Sequence, residues 1–286
     1  MRIVPITDLP GIGLEKLTGI WNHCWQGYYY DMTFTVEKMQ NWLRLASIDL
    51  EHSLLLESDD QAIGFALLAR EGEQAWLAGT AIAPEARGRG LFALLVRAQL
   101  EAARALGVKE LFLEVLAQNH ARKVYEAVGF TKIRQLNIFR VTNEQWQQIC
   151  SSGGAELRPR TESAVSEDHS YFRPVSLAEY LDRRSLRFKP SWQRSDAYLC
   201  RYANLEAWLW RGGTGGFLTT GEGNPLLLDA WCSGFKDGWQ VLVAIMARMG
   251  QLFLNNQPED WLSAILKYYQ VQPKDVQFEM RCYLGL

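Results

Sequence analysis

The sequence predicts an α/β (α+β) fold on a mixed central sheet, laid down twice in tandem. Three observations predict it. Apolar runs at 53–57, 62–70 and 74–83, joined by turns at Asp59-Asp60 and Glu71-Gly72-Glu73, read as an antiparallel meander. The spacing then turns helical: Leu91, Leu94, Leu95, Ala98, Ala102 and Leu106 recur at helix period, with Arg97, Glu101 and Arg104 opposite and Gly107 where a C-terminal cap belongs. A buried strand at 111–115, a short helix at 121–128 closed by Gly129 and a strand at 131–141 follow, and strand–helix alternation after a meander makes a mixed sheet. Finally, this order recurs as strands at 207–210, 216–221 and 226–231, a helix at 238–249, a strand at 252–254, a helix at 261–269 and a last strand at 277–284. Ahead of the first meander, residues 1–7 read as a strand and 14–25 and 36–45 as helices.

A chain of 286 residues exceeds one ordinary domain. Ser151-Ser152-Gly153-Gly154 opens a polar stretch without periodicity, so the expected organisation is a domain at 1–150, a linker at 151–170 and a second domain at 171–286. The net charge of −2 carries no block of one sign, which argues against nucleic acid or an anionic membrane as partner. The five cysteines are scattered and never in CxxC spacing, as expected of reduced, mostly buried thiols in a cytoplasmic protein. The four histidines lack metal-ligand spacing, so no metal is expected. The longest apolar run, Val241 to Met246, is too short to span a bilayer, and the first residues hold no signal core. A soluble monomer or homodimer is expected.

The chemistry concentrates at Pro84-Glu85-Ala86-Arg87-Gly88-Arg89-Gly90, between a strand and a helix that opens at Leu91-Phe92. Two glycines let successive N–H groups turn into one concavity, the helix start adds its own N–H groups and dipole, and Arg87 and Arg89 add charge. A pyrophosphate suits such a loop. The third glycine of a dinucleotide fingerprint and the Gly-Lys-Ser/Thr of a nucleotide-triphosphate loop are both missing.

Some 30 residues on come Glu114 at a strand end, Asn119 in the next loop, and Tyr125-Glu126-Ala127-Val128-Gly129-Phe130. Arg-Gly-Arg-Gly-Leu followed by Asn…Ala…Tyr-Glu-x-x-Gly-Phe resembles the GNAT superfamily of N-acetyltransferases, well over 53–141 and loosely before it. Phe92 stands where that family commonly has Gly or Ala, and Asn119 to Tyr125 is one residue short of its usual interval.

The resemblance implies acetyl-CoA as cofactor and direct transfer of acetyl to a primary amine of a small molecule or peptide. It implies that Gly88, Arg89, Gly90, Leu91 and Phe92, with Arg87, hold the pyrophosphate. Pantetheine is implied to lie along the backbone of Ala81, Ile82 and Ala83, with Asn119 hydrogen-bonded to it. Tyr125 becomes the general acid at the departing sulfur, its alternative being a core tyrosine packed on Ala121. Glu114 becomes the general base, as in the ribosomal-protein acetyltransferases that this segment resembles, its alternative being a structurally paired carboxylate. Trp25, Tyr28, Tyr29, Tyr30 and Asp31 fall where the family shapes its acceptor site; the other reading is that these aromatics staple helices to the sheet.

The second half keeps the order of elements without the motifs. Its loop is Ser233-Gly234-Phe235-Lys236-Asp237-Gly238, and Asn255 and Leu266 stand at the positions of Glu114 and Tyr125, so a degenerate, catalytically silent copy is expected. A CoA-binding sensor without turnover is the alternative to an enzyme; retention of both Glu114 and Tyr125 favours the enzyme.

Overall fold

The computed structural model describes residues 1–8, 11–152, 171–221 and 225–285. The chain forms two compact units: Met1–Arg134 with Phe278–Leu286, and Gln135–Gln277.

Unit 1 contains β1 (Arg2–Pro5), β2 (Leu54–Ser58), β3 (Gln61–Glu71), β4 (Gln74–Ile82) and β5 (Glu110–Leu116). The start of β6 (Thr131–Val141) and the greater part of β12 (Asp275–Tyr283) complete its sheet, in the order β1-β2-β3-β4-β5-β12-β6. β1 to β4 are antiparallel neighbours, whereas β4 and β5 run parallel. The middle strands β2, β3 and β4 are near-continuous buried runs, packed against α1 and α3.

In α1 (Leu14–Cys24), Leu17, Ile20, Trp21 and Cys24 form one buried stripe at i, i+3, i+4 and i+7. Trp21 stacks on Phe65 with centroids 5.2 Å apart, and its Nε1 donates to the Met32 carbonyl at 2.7 Å. A Cβ on Gly79 would stand 3.2 Å from the Trp21 ring, so the glycine lets the indole close on the sheet. In α2 (Val36–Ala46), Thr35 is the N-cap and accepts from the Lys38 N–H.

In α3 (Leu91–Ala105) the buried stripe is Leu91, Leu95, Val96, Gln99, Leu100 and Ala103. It is rotated from the expected one: Leu94 is exposed, and Gln99 is buried with its Nε2 on the His52 carbonyl at 2.9 Å. Apolar residues cover a wide arc of this helix, so composition alone does not set its rotation. α4 (Ala121–Ala127) follows β5.

Unit 2 holds α5 (Asn143–Ser152), β7 (Phe172–Val175), α6 (Leu177–Arg183), α7 (Asp196–Leu199), β8 (Leu205–Trp210), β9 (Gly215–Thr220), β10 (Leu227–Cys232), α8 (Phe235–Met249), β11 (Leu252–Pro258) and α9 (Trp261–Tyr268). β7 to β10 make an antiparallel sheet in chain order, and β11 pairs antiparallel with β6 from Leu252↔Val141 to Pro258↔Leu136. Trp146, Ile149, Trp239, Leu242 and Ile265 lie in one of its cores. In another, buried Asp229 is bound by Tyr180 Oη at 3.0 Å and Arg184 Nη1 at 2.9 Å, so its charge is paired and hydrogen-bonded.

The expected element order holds in both halves, with three corrections. The units divide at Arg134/Gln135 and again at Gln277/Phe278 rather than around 151–170, because the closing strand of the chain joins the first sheet. Ser151 and Ser152, expected to open the linker, end α5, whose Trp146 and Ile149 bury at i,i+3; the rest of the expected linker lies outside the described residues. Of the five thiols only Cys24 and Cys282 are buried, and Cys200 is exposed.

A fragment ending at residue 150 therefore lacks the strand between β5 and β6, leaving the inner edges of both unpaired. It is expected to lose the cooperative thermal unfolding and amide dispersion in ¹H–¹⁵N spectra that are expected of the full chain.

Candidate active site

β4 and β5 pair only over Gln74↔Glu110, Ala75↔Leu111 and Trp76↔Phe112. Beyond Trp76, β4 runs on to Ile82 while β5 diverges. A bulge sits at the same point, since Leu67 pairs with Gly79 and Leu68 with Leu77, leaving Ala78 as the extra residue. The Ala83 N–H donates to the Ile63 carbonyl at 2.8 Å. Antiparallel alternation then turns the polar backbone groups of Ala81 and Ala83 toward β3, and those of Thr80 and Ile82 toward the gap. Of the backbone set expected at 81–83, only Ile82 faces the gap, and Thr80 joins it.

The loop turns at its two glycines, and one of its two arginines is engaged elsewhere. Gly88 and Gly90 both adopt φ +74°, a left-handed conformation, with open space where a Cβ would point. Gly90 is the N-cap of α3 and contributes no side chain, so the first-turn N–H groups at Leu91 and Phe92 face outward uncapped. Arg89 is exposed. Arg87 is committed elsewhere: its Nε donates to the Ile82 carbonyl at 3.0 Å, and its Nη2 to the carbonyls of Cys24 and Gln26 at 2.9 and 2.7 Å. The guanidinium thus closes the C-terminal end of α1, where carbonyls and dipole both favour a cation.

Tyr125 lies buried in the short helix α4, between Phe92 at 5.4 Å and Phe130 at 5.5 Å, both edge to face. Burial holds its phenol well above the usual range, with Thr80 opposing and Tyr28 adding slightly. Thr80 Oγ1 is buried and forms no well-shaped hydrogen bond among the described residues. Tyr28 is likewise shifted up by burial, against a hydrogen bond from the Asn119 side chain. Asn119 Oδ1 also accepts from the Ala121 N–H at 2.9 Å, opening α4. Thr80, Phe92, Asn119, Tyr125 and Tyr28 therefore converge at the open end of the gap.

Glu114 stands two residues past the last β4–β5 pair, on the same face as Phe112. Trp76 Nε1 donates to its Oε2 at 2.7 Å, while Oε1 is buried with no partner among the described residues. Its pKa is raised from 4.5 to about 7, by burial first and Glu279 second; Trp76 and Arg134 oppose the shift. Glu279, buried on β12, is itself bridged to Arg134 at 2.6 Å.

The expected acceptor residues divide. Trp25 packs on Trp21, Phe65 and Tyr28, the stapling role. Tyr29 is exposed and reaches the Gln118 carbonyl at 3.3 Å, Tyr30 is half-buried, and Asp31 Oδ1 accepts from Thr33 N–H in a local turn. Cys24 is no nucleophile: burial, then Glu85, push its thiol up to about 12. In unit 2 the residue before α8 is Gly234 at φ −153°, extended rather than left-handed, and Asp237 puts a carboxylate in the first turn. Exposed Asn255 and buried Leu266 occupy the counterpart positions.

Thr80, Trp76, Arg134 and Glu279 escape sequence reasoning. Thr80 alone leaves a trace, as the hydroxyl in the apolar run Ala78-Gly79-Thr80-Ala81-Ile82.

Two outcomes follow. Arg87→Ala strands three carbonyls and is expected to cost about 1–3 kcal/mol, whereas Arg89→Ala leaves urea unfolding within about 0.5 kcal/mol of the parent. Because Glu114 binds its proton more tightly folded than unfolded, it contributes falling stability as pH rises from 4.5 to about 7. Glu114→Gln should flatten that interval in a pH series of unfolding curves.

Residues 14–130 match the acetyltransferase (GNAT) family. A [Ribosomal protein bS18]-alanine N-acetyltransferase of Haemophilus influenzae is 36% identical over 81 residues, 28% of this chain and 56% of that protein. The chain thus spans little more than half the length of this curated relative. A tandem GNAT protein from the clavulanic acid biosynthesis pathway superposes over 100% of this chain and 99% of its own, at TM-score 0.63 and 13% identity. A GCN5-related N-acetyltransferase from Sphaerobacter thermophilus does so over 100% and 95%, at TM-score 0.60 and 13% identity. At such identities these two establish the fold alone. Residues 14–130 form a domain of the GNAT acetyltransferase family, within a chain that has the fold of tandem GNAT proteins.

Proposed function

We propose that unit 1 is an acetyl-CoA-dependent N-acetyltransferase that passes acetyl directly to a primary amine of a small molecule or peptide. The observation that carries this reading is Glu114: a half-buried residue whose carboxylate has one buried, unpartnered oxygen and a pKa of about 7, just past the point where β4 and β5 part. A general base works best with a pKa near the operating pH, and a merely structural carboxylate would have both oxygens satisfied.

The residues present fit the cofactor. The backbone of Thr80 and the N–H of Ile82, whose carbonyl Arg87 takes, suit an extended amide chain, which would add to β4 as a strand does. Gly88, Arg89, Gly90 and the N–H groups of Leu91 and Phe92 suit a pyrophosphate. Bound there, acetyl-CoA supplies an activated acyl group as a thioester.

The chain's own residues then divide the proton work. Glu114 takes a proton from the acceptor amine through Oε1. Tyr125, held in its protonated form, offers its O–H to the departing sulfur; so high a pKa favours a hydrogen-bond donor over a full proton donor. A base near 7 matches an α-amino group, at about 7.7–8.0, far better than a lysine side chain at about 10.4. The curated relative, named for acetylating an alanine of a ribosomal protein, agrees with an α-amine acceptor.

The test is thiol release from acetyl-CoA against a panel of peptides with free N-termini, lysine derivatives and small amines. Glu114→Gln is expected to lower kcat about 10²–10⁴-fold and to abolish the rise of kcat/KM through pH 7. Arg89→Ala should weaken CoA binding and leave kcat near its parent value. Tight CoA binding without thiol release on any amine would instead favour a CoA sensor.

A further inference from the structure

The charged groups acting on Glu114 come from two strands remote in sequence, Glu279 of β12 and Arg134 of β6; β4 contributes the neutral indole of Trp76. Trp76 is 4% exposed and Glu279 5%, so neither contact is screened by bulk water. The indole takes up Oε2 at 2.7 Å and leaves Oε1 bare. Glu279 is bound to Arg134 at 2.6 Å, a charge-assisted contact.

We propose that Trp76 and Glu279 are positioning residues for Glu114, the first fixing which carboxylate oxygen faces the acceptor amine, the second disfavouring ionisation of that carboxylate. This rests on reading Glu114 as the base. An N–H donor to a carboxylate favours its charged form, whereas a neighbouring anion opposes it. The two residues therefore pull in opposite directions. Without Trp76 the carboxyl group would hold its proton too firmly and turn freely about its last bond. Without Glu279 it would ionise at lower pH and become a weaker base. Glu279 also gives the last strand a chemical function in unit 1 beyond pairing: the end of the chain tunes a residue on β5.

The test is a titration of ¹³C-carboxyl-labelled glutamate in the protein alone, with Glu114→Gln identifying the resonance, together with kcat/KM against pH for whichever amine the panel shows to be acetylated. Trp76→Phe keeps the ring and removes the donor, and should move the Glu114 midpoint up by about one unit. Glu279→Gln should move it down by about one unit, the freed Arg134 acting in the same direction. The acid limb of kcat/KM should follow both. Benzothienylalanine at position 76, which replaces N–H by sulfur, serves if Trp76→Phe does not fold. Midpoints unmoved, or moved the same way in both variants, overturn the proposal. An acid limb that survives in Glu114→Gln overturns the base reading itself. A limb that vanishes there while the midpoints stay fixed leaves Glu114 as base and removes Trp76 and Glu279 from its control.

Discussion

Everything chemical in unit 1 depends on three backbone pairs and no more between β4 and β5. Parallel strands joined along their whole length would satisfy every N–H and carbonyl and leave nothing for a ligand to meet. Here the pairing stops at Trp76↔Phe112, and a bulge at Ala78 turns the following residues of β4 by one step. An unsatisfied strand edge inside a sheet is unstable unless something pairs with it, and an extended amide chain is the kind of partner that fits. The same parting leaves Glu114 beside Trp76 but beyond the next ladder bond, which explains how a carboxylate can be both buried and half-bonded.

The two arginines of the loop show how close sequence and structure can come while differing in cause. Both were reasonable phosphate ligands from composition. Yet α1 ends with carbonyls facing the loop, and a planar guanidinium that reaches two of them, with the Ile82 carbonyl of β4 as a third, gains more from fixed acceptors than from a diffuse field. Arg87 thereby sets the shape of the loop, and Gly88, Gly90 and the uncapped start of α3 keep the anion-facing geometry that it braces. Positive charge open to a ligand at the loop then rests on Arg89 and the helix dipole.

What the sequence disclosed was whatever is local. Gly88, Gly90 and Gly107 announce positive φ, the α1 stripe announces a buried face, and Tyr125 is placed by the turn of helix that ends at Gly129. What it withheld depends on register or on distance along the chain. Whether Thr80 or Ala81 faces the gap is decided by a single bulge that no residue type signals. Trp76 and Glu279 lie 38 and 165 residues from Glu114, and no short window relates them. The rotation of α3 turns on Gln99, a polar residue that the apolar pattern does not include and that the His52 carbonyl draws in.

The duplicated order of elements raises the question of why a half without a phosphate loop persists. Unit 2 links some of its polar groups to one another: Arg194 Nη2 bonds Gln257 at 2.6 Å, Gln257 bonds Asp260, and Asp260 caps α9. The acid at the start of α8 opposes an anionic ligand there. The retention of unit 2 is better understood from the path of the chain. The strand that follows unit 2 crosses into unit 1 at Phe278, and within two residues it delivers Glu279 to the face that carries Glu114. A chain cut before its last strand would therefore lose both a strand and a charge from unit 1.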